Sequence, residues 1–362
     1  MTHPYSDAAS HRLWRRGVSA FEANADPIVN FPFRISPSDK IVTAGGCFAP
    51  LIANRLQTAG YNFLVTEKAH PLLPEETAAL FNYGRHSARY GSVHTARQLL
   101  QLLRRAYGRF EPIEDMWFEG DNKLVDPFRP LIQPDGFACI EEYRLDRAQH
   151  FAAVREAFET MDVFIYIFSM TECWENRKDG AVFPLCPGVA GGHFDESVHA
   201  FRNQDVGEVV ADMTLFLEEL REVNKDLRVI LAVSPVQFIA TGSDDHVLCA
   251  STYSKAVHRA ACEAITKCDP AVAYFPSYEI IAGPQTRGRY FDDDLRSVTD
   301  AGVDRIMDLF FKHVTDEGAQ WAASGNETRV EIGVKSEQVN YAARAQSLTK
   351  SLCDAVLLDL GG

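Results

Sequence analysis

The sequence predicts an α/β fold in which helices cover both faces of a mostly parallel sheet. From Lys40 onward, short apolar runs alternate with segments whose apolar residues recur at helical spacing, as in βαβ units. Two of the runs, residues 162–168 and 228–233, contain no charged residue after their first position. Such strands are apolar on both faces, which indicates that they are buried between two layers of helices.

The predicted elements follow one another in the order that this fold requires. A first strand over residues 41–44 leads into a helix with Leu51 and Leu56 on one face. The last helix begins at Thr299 or Asp300, since either side chain can cap it. The other predicted strands span residues 162–168, 228–233 and 271–275, and the other helices span residues 95–107, 206–223 and 254–265. Sheets of this kind bind ligands at the carboxyl ends of their strands, so the residues that follow each strand are candidate site residues.

Three parts of the chain do not share this alternation. Residues 1–35 form a poorly patterned N-terminal lead-in, and residues 315–362 form a C-terminal extension after the domain of residues 36–314. Within that domain, residues 110–149 are rich in proline, aspartate and aromatic residues. We expect an irregular insertion there that covers a sheet edge or the ligand site.

The composition argues against several classes of protein. The 50 acidic and 36 basic residues give a net charge of −14, which disfavours nucleic acid as a partner. No apolar run approaches the ~20 residues of a membrane span, and residues 1–31 contain no apolar core of a signal peptide. We therefore expect a cytoplasmic protein without membrane contact, and the oligomeric state stays open.

The eight cysteines are scattered, with no C-x₂-C pair and no zinc-like spacing to histidines. We expect reduced thiols, no structural metal and no cofactor. His193 and His199 flank Asp195 in a glycine-rich stretch, but their spacing does not specify a metal site.

The segment VTAGGCFAP, residues 42–50, forms a predicted strand-to-helix turn with unusual chemistry. Such a turn presents the nucleophile in many α/β enzymes, yet Gly46 has no side chain. Cys47 is the neighbouring candidate, because the N-terminus of a helix lowers the pKa of a thiol and makes it reactive. The alternative for Cys47 is a packing role, since adjacent residues of a strand point to opposite faces.

Several longer motifs resemble those of one known family. In chain order they include TAGGCFAPLIANRL, ARYGSVHTARQLLQLL, VDPFRP, SMTECW, VSPV, TYSKAVHRAA, YFPSYEI and DDDLRSV, spread over residues 35–313. On these motifs the chain resembles the GSCFA family, which is placed among the SGNH/GDSL-like hydrolases. The resemblance implies a three-layer α/β/α sandwich and the site geometry of a serine ester hydrolase.

The resemblance also implies where the reactive groups should lie. The nucleophilic serine would stand in the first strand-to-helix turn, but this chain has Gly46 at that position. A D-x-x-H element near the C-terminus would supply the base and the group that orients it. Asp294 matches that element, but none of the next three residues is a histidine. The two reactive positions of the family pattern are therefore both changed.

The oxyanion-binding positions match the pattern in part. Gly91 and Thr171 match, and the resemblance implies that a glycine N–H and a polar side chain at these motifs bind the oxyanion. Ser92 stands where asparagine is frequent, His94 where tyrosine is usual and Ser169 where glycine is expected.

Other side chains could supply a base or bind substrate. His246 follows Asp244 and Asp245 after the third strand, so it could be a base that a carboxylate orients, or a structural histidine. Glu172, just after the second strand, could be a general base or a charge at a helix N-terminus. Asp294 could orient a base or cap the last helix.

Two residues at predicted helix starts are further candidates for the same pocket. His94 could line it beside Gly91 or could be a surface histidine. Lys255 could bind an anion there.

Two hypotheses of different classes follow. The first is a diverged ester hydrolase or O-acyltransferase that acts on an acylated saccharide or a similar small ester. Gly91 and Ser92 would bind the oxyanion, and His246 or Glu172 would activate water or an acceptor hydroxyl directly. The second is a non-catalytic ligand-binding or scaffold protein that keeps the hydrolase fold, because the serine and histidine of the pattern are both missing.

Overall fold

The computed structural model describes residues 3–119, 123–316 and 318. Its strands are β1 (Ile41–Gly45), β2 (Trp117–Glu119), β3 (Lys123–Val125), β4 (Val163–Phe168), β5 (Glu172–Asn176), β6 (Val182–Phe183), β7 (His199–Asn203), β8 (Arg228–Val233) and β9 (Val272–Phe275). Its α-helices are α1 (Ala49–Thr58), α2 (Glu75–Leu80), α3 (Ala96–Ala106), α4 (Ile140–Thr160), α5 (Val206–Arg221), α6 (Val247–Cys268), α7 (Ser277–Ala282) and α8 (Asp300–Val314).

The central sheet is parallel, with the strand order β1-β4-β8-β9. Alternate side chains of β4 enter two separate cores. Phe164 and Tyr166 pack with α3, α4, α5 and α6, whereas Ile165 and Ile167 pack with α1, α7 and α8. Helices therefore cover both faces of the sheet, and the predicted three-layer α/β/α sandwich is confirmed.

Local signals in the sequence set several helix starts. Thr95 caps α3 in a capping box with Gln98, and Thr299 caps α8 by accepting a hydrogen bond from the Gly302 N–H. Helix α6 begins at Val247, seven residues earlier than the sequence predicts. Lys255, expected at a helix start, therefore lies two turns inside α6.

The segment after β4 contains a second sheet that the sequence analysis did not predict. Strands β5, β6 and β7 form an antiparallel sheet in the order β6-β5-β7, and β5 begins at Glu172. The sequence does not predict these strands, because β5 (ECWEN) and β7 (HAFRN) mix charged, polar and aromatic residues without the clear alternation of a half-buried strand. Glu172 consequently starts a strand and not a helix.

The expected irregular insertion, residues 110–149, is partly regular. Strands β2 and β3 form an antiparallel hairpin, and α4 begins at Ile140. The first half of α4 buries Tyr143 and His150 in place of aliphatic residues, so its apolar stripe is weak in the sequence. The helix was therefore not predicted.

A buried group of charges ties the insertion to the chain segment before α3. Asp146 of α4 accepts hydrogen bonds from Arg89 at 2.8 Å and from Arg129 at 2.7 Å. Arg129 also pairs with Asp126 at 2.8 Å, and Glu67 accepts from the Arg89 N–H at 2.7 Å. These bonds fix the loop that carries Gly91 and His94 against the insertion. The C-terminal extension lies outside the described residues from position 319 on.

None of the described helices has both the length and the apolar character needed to cross a membrane.

Candidate functional site

The turn between β1 and α1 is crowded at both of its glycines. Gly45 has φ +151°, and a Cβ on it would lie 2.5 Å from the Ile167 carbonyl oxygen. A Cβ on Gly46 would lie 2.8 Å from Ser169 Oγ and 3.1 Å from His94 Nδ1. Two side chains from other parts of the chain therefore occupy the space beside Gly46.

Those two side chains form a serine–histidine pair. Ser169 Oγ lies 2.9 Å from His94 Nδ1. Ser169 directly follows β4, and His94 directly precedes the cap of α3. The His94 N–H donates to Gln98 Oε1 at 2.9 Å, so the capping box of α3 also holds the histidine backbone. The pair thus stands at the carboxyl edge of the parallel sheet, where ligands bind in this kind of fold.

Lys255 of α6 brings a buried amine to the pair. Its Nζ donates a hydrogen bond to the Ser169 carbonyl oxygen at 2.9 Å, and its side chain is almost fully buried. Burial lowers the pKa of Lys255 to about 7, with nearby Cys47 opposing and Arg296 adding to that shift. Burial, with a smaller contribution from Lys255, lowers the pKa of His94 to about 4, so the imidazole is neutral at pH 7.

A cleft of about 310 Å³ opens at this pair. Its volume lies at the lower end of the range of small-molecule sites. The predicted site residues that line it are Cys47, Gly91, Ser92, His94 and Glu172, together with Ser169. The structure therefore brings together most of the residues that the sequence pointed to around the first strand-to-helix turn.

Glu172 is held at the cleft by the loop after β8. Its Oε1 accepts from Thr241 Oγ1 at 2.6 Å, and its Oε2 accepts from the Gly242 N–H at 3.0 Å. Both carboxylate oxygens are thus engaged within the protein. The arrangement is that of a residue that anchors a loop.

Four predicted site residues are absent from the cleft lining, and Gly46, which has no side chain, is one of them. Thr171 is fully buried, and its Oγ1 donates to Asn203 Oδ1 at 2.7 Å. His246 is exposed at the start of α6, where its Nδ1 accepts from the Leu248 N–H at 3.2 Å. His246 was expected as a base near the strand ends, and the early start of α6 places it at the helix cap instead.

Asp294 also lies outside the cleft lining. It is exposed, and it accepts hydrogen bonds from Ser297 Oγ at 2.6 Å and from the Arg296 N–H at 2.9 Å. The last helix is capped by Thr299, so Asp294 does not have the expected capping role. The residue of this segment that reaches the cleft is Arg296.

Ser169 was not predicted as a reactive residue, although the sequence carried a signal for it. Gly46, His94 and Ser169 are all departures from the family pattern, and each alone suggests lost chemistry. The structure brings all three within contact distance. Compared with the pattern that the resemblance implies, the chain lacks a serine at position 46 and has Ser169 and His94 at two other motif positions, and this combination could have pointed to the pair.

Within the ranges described by the structure, no set of three or more His, Cys, Asp and Glu side chains could hold a metal ion. His199, weighed as a ligand in the sequence, bonds Glu114 Oε2 through Nε2 at 2.9 Å.

Comparison with known proteins gives one finding on identity. A search of curated proteins finds no match. A family model described as "GSCFA family" matches residues 40–310, which is most of the chain and includes the turn at Gly46, His94, Ser169 and Lys255. The chain therefore belongs to the GSCFA family.

Proposed function

We propose that this protein transfers an acyl group from a small ester to water or to an acceptor hydroxyl, with Ser169 as the nucleophile and His94 as its base. The observation that carries the proposal is the 2.9 Å contact between Ser169 Oγ and His94 Nδ1 in the space beside Gly46. A nucleophile and a base within hydrogen-bond reach are the first requirement of serine-type acyl transfer. The missing side chain at Gly46 is then compensated by a hydroxyl from the end of β4.

The proposed chemistry proceeds in two steps. Ser169 Oγ attacks the ester carbonyl carbon while its proton passes to His94 Nδ1, and the bond to the alkoxy group breaks as that group takes the proton. Water or an acceptor hydroxyl then attacks the acyl-serine, gives its proton to His94 and releases the acyl product, and the proton returns to Ser169. Gly91 and Ser92, which line the same cleft, are the candidates for stabilising the oxyanion.

The charges around the pair support this assignment of roles. His94 is neutral at pH 7 and can therefore accept a proton. Lys255, with a pKa of about 7, is partly protonated at that pH and contacts the Ser169 carbonyl oxygen. Its positive charge favours negative charge that develops at the serine.

A non-catalytic ligand-binding protein is the second candidate function, and one observation favours it. A base with a pKa of about 4 accepts a proton only weakly, whereas an efficient general base has a pKa close to the working pH. Under this candidate the cleft would bind an ester or acid without turnover.

The test compares turnover of an ester panel by wild type and by the Ser169→Ala, His94→Gln and Cys47→Ala variants. We expect Ser169→Ala to lose about 10³-fold or more in kcat/KM, as removal of a nucleophile does, and a fluorophosphonate probe to label Ser169 in wild type only. Ser197→Ala is the matched control, because Ser197 is an exposed serine bonded to Asp195.

Four other outcomes would contradict the assignment. Unchanged turnover in Ser169→Ala would exclude the serine, and an acyl adduct on Cys47 would assign the reaction to the thiol. His246→Ala is added to the panel for this purpose, and turnover lost only in that variant would favour direct activation of water by His246. No turnover of any ester by wild type, with ligand binding intact, would favour the non-catalytic candidate.

A further inference from the structure

We infer that the cleft binds its ester through an apolar acyl chain, and that a saccharide, if the substrate has one, stays outside the cleft. The inference rests on the proposed function for the position of the ester group, but its evidence is the cleft wall. Three parts of the chain supply apolar residues to this wall: Leu131 and Ile132 of the insertion, Trp174 and Phe201 of the second sheet, and Phe238 and Ile239 after β8.

The polar groups of the wall are largely bonded within the protein. Glu172 has both oxygens engaged, and Arg129 pairs with Asp126 and Asp146. Gln237 donates through Nε2 to the Pro235 carbonyl oxygen and accepts from Ser251 Oγ. The charges and the amide of these side chains are thus paired within the protein and do not need a ligand for pairing.

The other ionisable groups of the wall lead to the same conclusion. Arg85 donates to Asn82 Oδ1 at 3.1 Å, and Arg296 donates to the Gln237 carbonyl oxygen at 3.1 Å. Burial lowers the pKa of His86 to about 3, so its ring carries no charge at pH 7.

A saccharide and an acyl chain need different kinds of side chain in the cleft wall. Each sugar hydroxyl that leaves water needs a hydrogen-bond partner, and an unpaired one costs about 1–3 kcal/mol. An acyl chain needs only apolar contact, and its burial is favourable in proportion to its length. The cleft therefore favours the apolar part of an ester.

The first experiment measures binding without chemistry. Purified Ser169→Ala protein is titrated with methyl ketones whose chains run from butyl to dodecyl, which mimic the ester carbonyl and cannot be hydrolysed. We expect the dissociation constant to fall about fourfold per added methylene until the cleft is full, which is the fold-change that corresponds to ~0.8 kcal/mol per buried CH₂. A dissociation constant independent of chain length would overturn the inference.

The second experiment measures selectivity in wild type and in two tryptophan variants. Leu131→Trp narrows the cleft, so we expect the preferred p-nitrophenyl ester to become shorter. Leu145→Trp is the matched control, because Leu145 is 73% exposed on α4 and does not line the cleft. An unchanged chain-length profile in Leu131→Trp, or equal shifts in both variants, would overturn the inference. The same acyl groups are also offered in two forms, as monomeric esters and in phosphatidylcholine vesicles. Turnover that depends on chain length in either form supports the inference, and the form that is turned over shows whether the acyl chain comes from a free ester or from a lipid.

Failure of the proposed function and failure of the inference give different results. Length-dependent ketone binding without turnover of any ester would support the apolar chain site and reject the proposed chemistry. Turnover of acetyl esters that depends on Ser169, without any gain from longer chains, would support the chemistry and reject the inference.

Discussion

Neighbouring side chains, and not the backbone conformation, restrict which residue types fit at position 46. The φ of Gly46 lies outside the left-handed region, yet a Cβ on it would come within 2.8 Å of Ser169 Oγ. The residue type at position 46 is therefore coupled to the residue type at position 169. A serine at 46 and a serine at 169 compete for the same space.

We predict that Gly46→Ser costs about 1–3 kcal/mol of unfolding free energy, the usual cost of overpacking. In a Ser169→Gly background the same change should cost less than about 1 kcal/mol, because the nearer of the two crowding side chains is gone and only His94 remains. Urea unfolding of the four proteins measures this coupling in a double-mutant cycle. Repeating the cycle with Ser197→Gly is the control, and equal costs in all backgrounds would disprove the coupling.

At the scale of elements, the cleft depends on contacts between segments that are distant in the chain. The loop before α3, the insertion and α4 meet at Asp146, which bonds both Arg89 and Arg129. Burial alone would raise the pKa of the adjoining Glu67, but its bond to His150 and nearby positive charges hold that pKa at about 2. The Glu67 carboxylate is thus kept charged where the loop and the insertion join.

We predict that Asp146→Asn lowers the free energy of unfolding by about 3 kcal/mol, because two buried guanidinium groups lose a shared counter-charge. Urea unfolding at pH 7 checks this value. Glu222→Gln is the matched control, since Glu222 pairs with Arg109 at the surface and should contribute less than about 1 kcal/mol. Similar losses in the two variants would show that the buried group has no special importance.

At the scale of the whole molecule, the buried amine of Lys255 lowers the stability of the fold. Its pKa is 10.5 in the unfolded chain and about 7 in the folded protein. Above pH 10.5 both states are neutral and there is no cost. Between pH 10.5 and about 7 the unfolded state binds a proton that the folded state does not, so stability falls as the pH falls. Below about pH 7 the full cost is present.

We predict that Lys255→Met is more stable than wild type at pH 6, by about 2 kcal/mol after the lost hydrogen bond to Ser169 is subtracted. The advantage should shrink as the pH rises and reverse near pH 10, where the cost of the buried charge is almost gone and the lost hydrogen bond remains. Urea unfolding across this pH range measures it, and activity should fall in the same variant, as is common when a strained site residue is replaced. A stability difference that is constant with pH would refute the explanation.

The helices and strands that a short local sequence pattern specifies could be predicted from the sequence. Strand β8 was predicted with the correct bounds because its apolar run is continuous, and α3 because its cap and its apolar stripe lie within a dozen residues. Helix α4 and the second sheet were not predictable, since their buried faces contain polar and aromatic side chains that only contacts with other elements explain.

The sequence by itself determined the family and the parallel sheet, because apolar periodicity and long motifs are local properties of the chain. It also showed that the turn at Gly46 lacks the hydroxyl that the resemblance implies. Only the tertiary structure decided which side chains lie beside that turn: Ser169 and His94 are 75 positions apart in the chain and meet because β4 pairs with β1 and α3 packs beside them. The same packing left His246 at a solvent-facing helix cap and brought the buried amine of Lys255 to the serine.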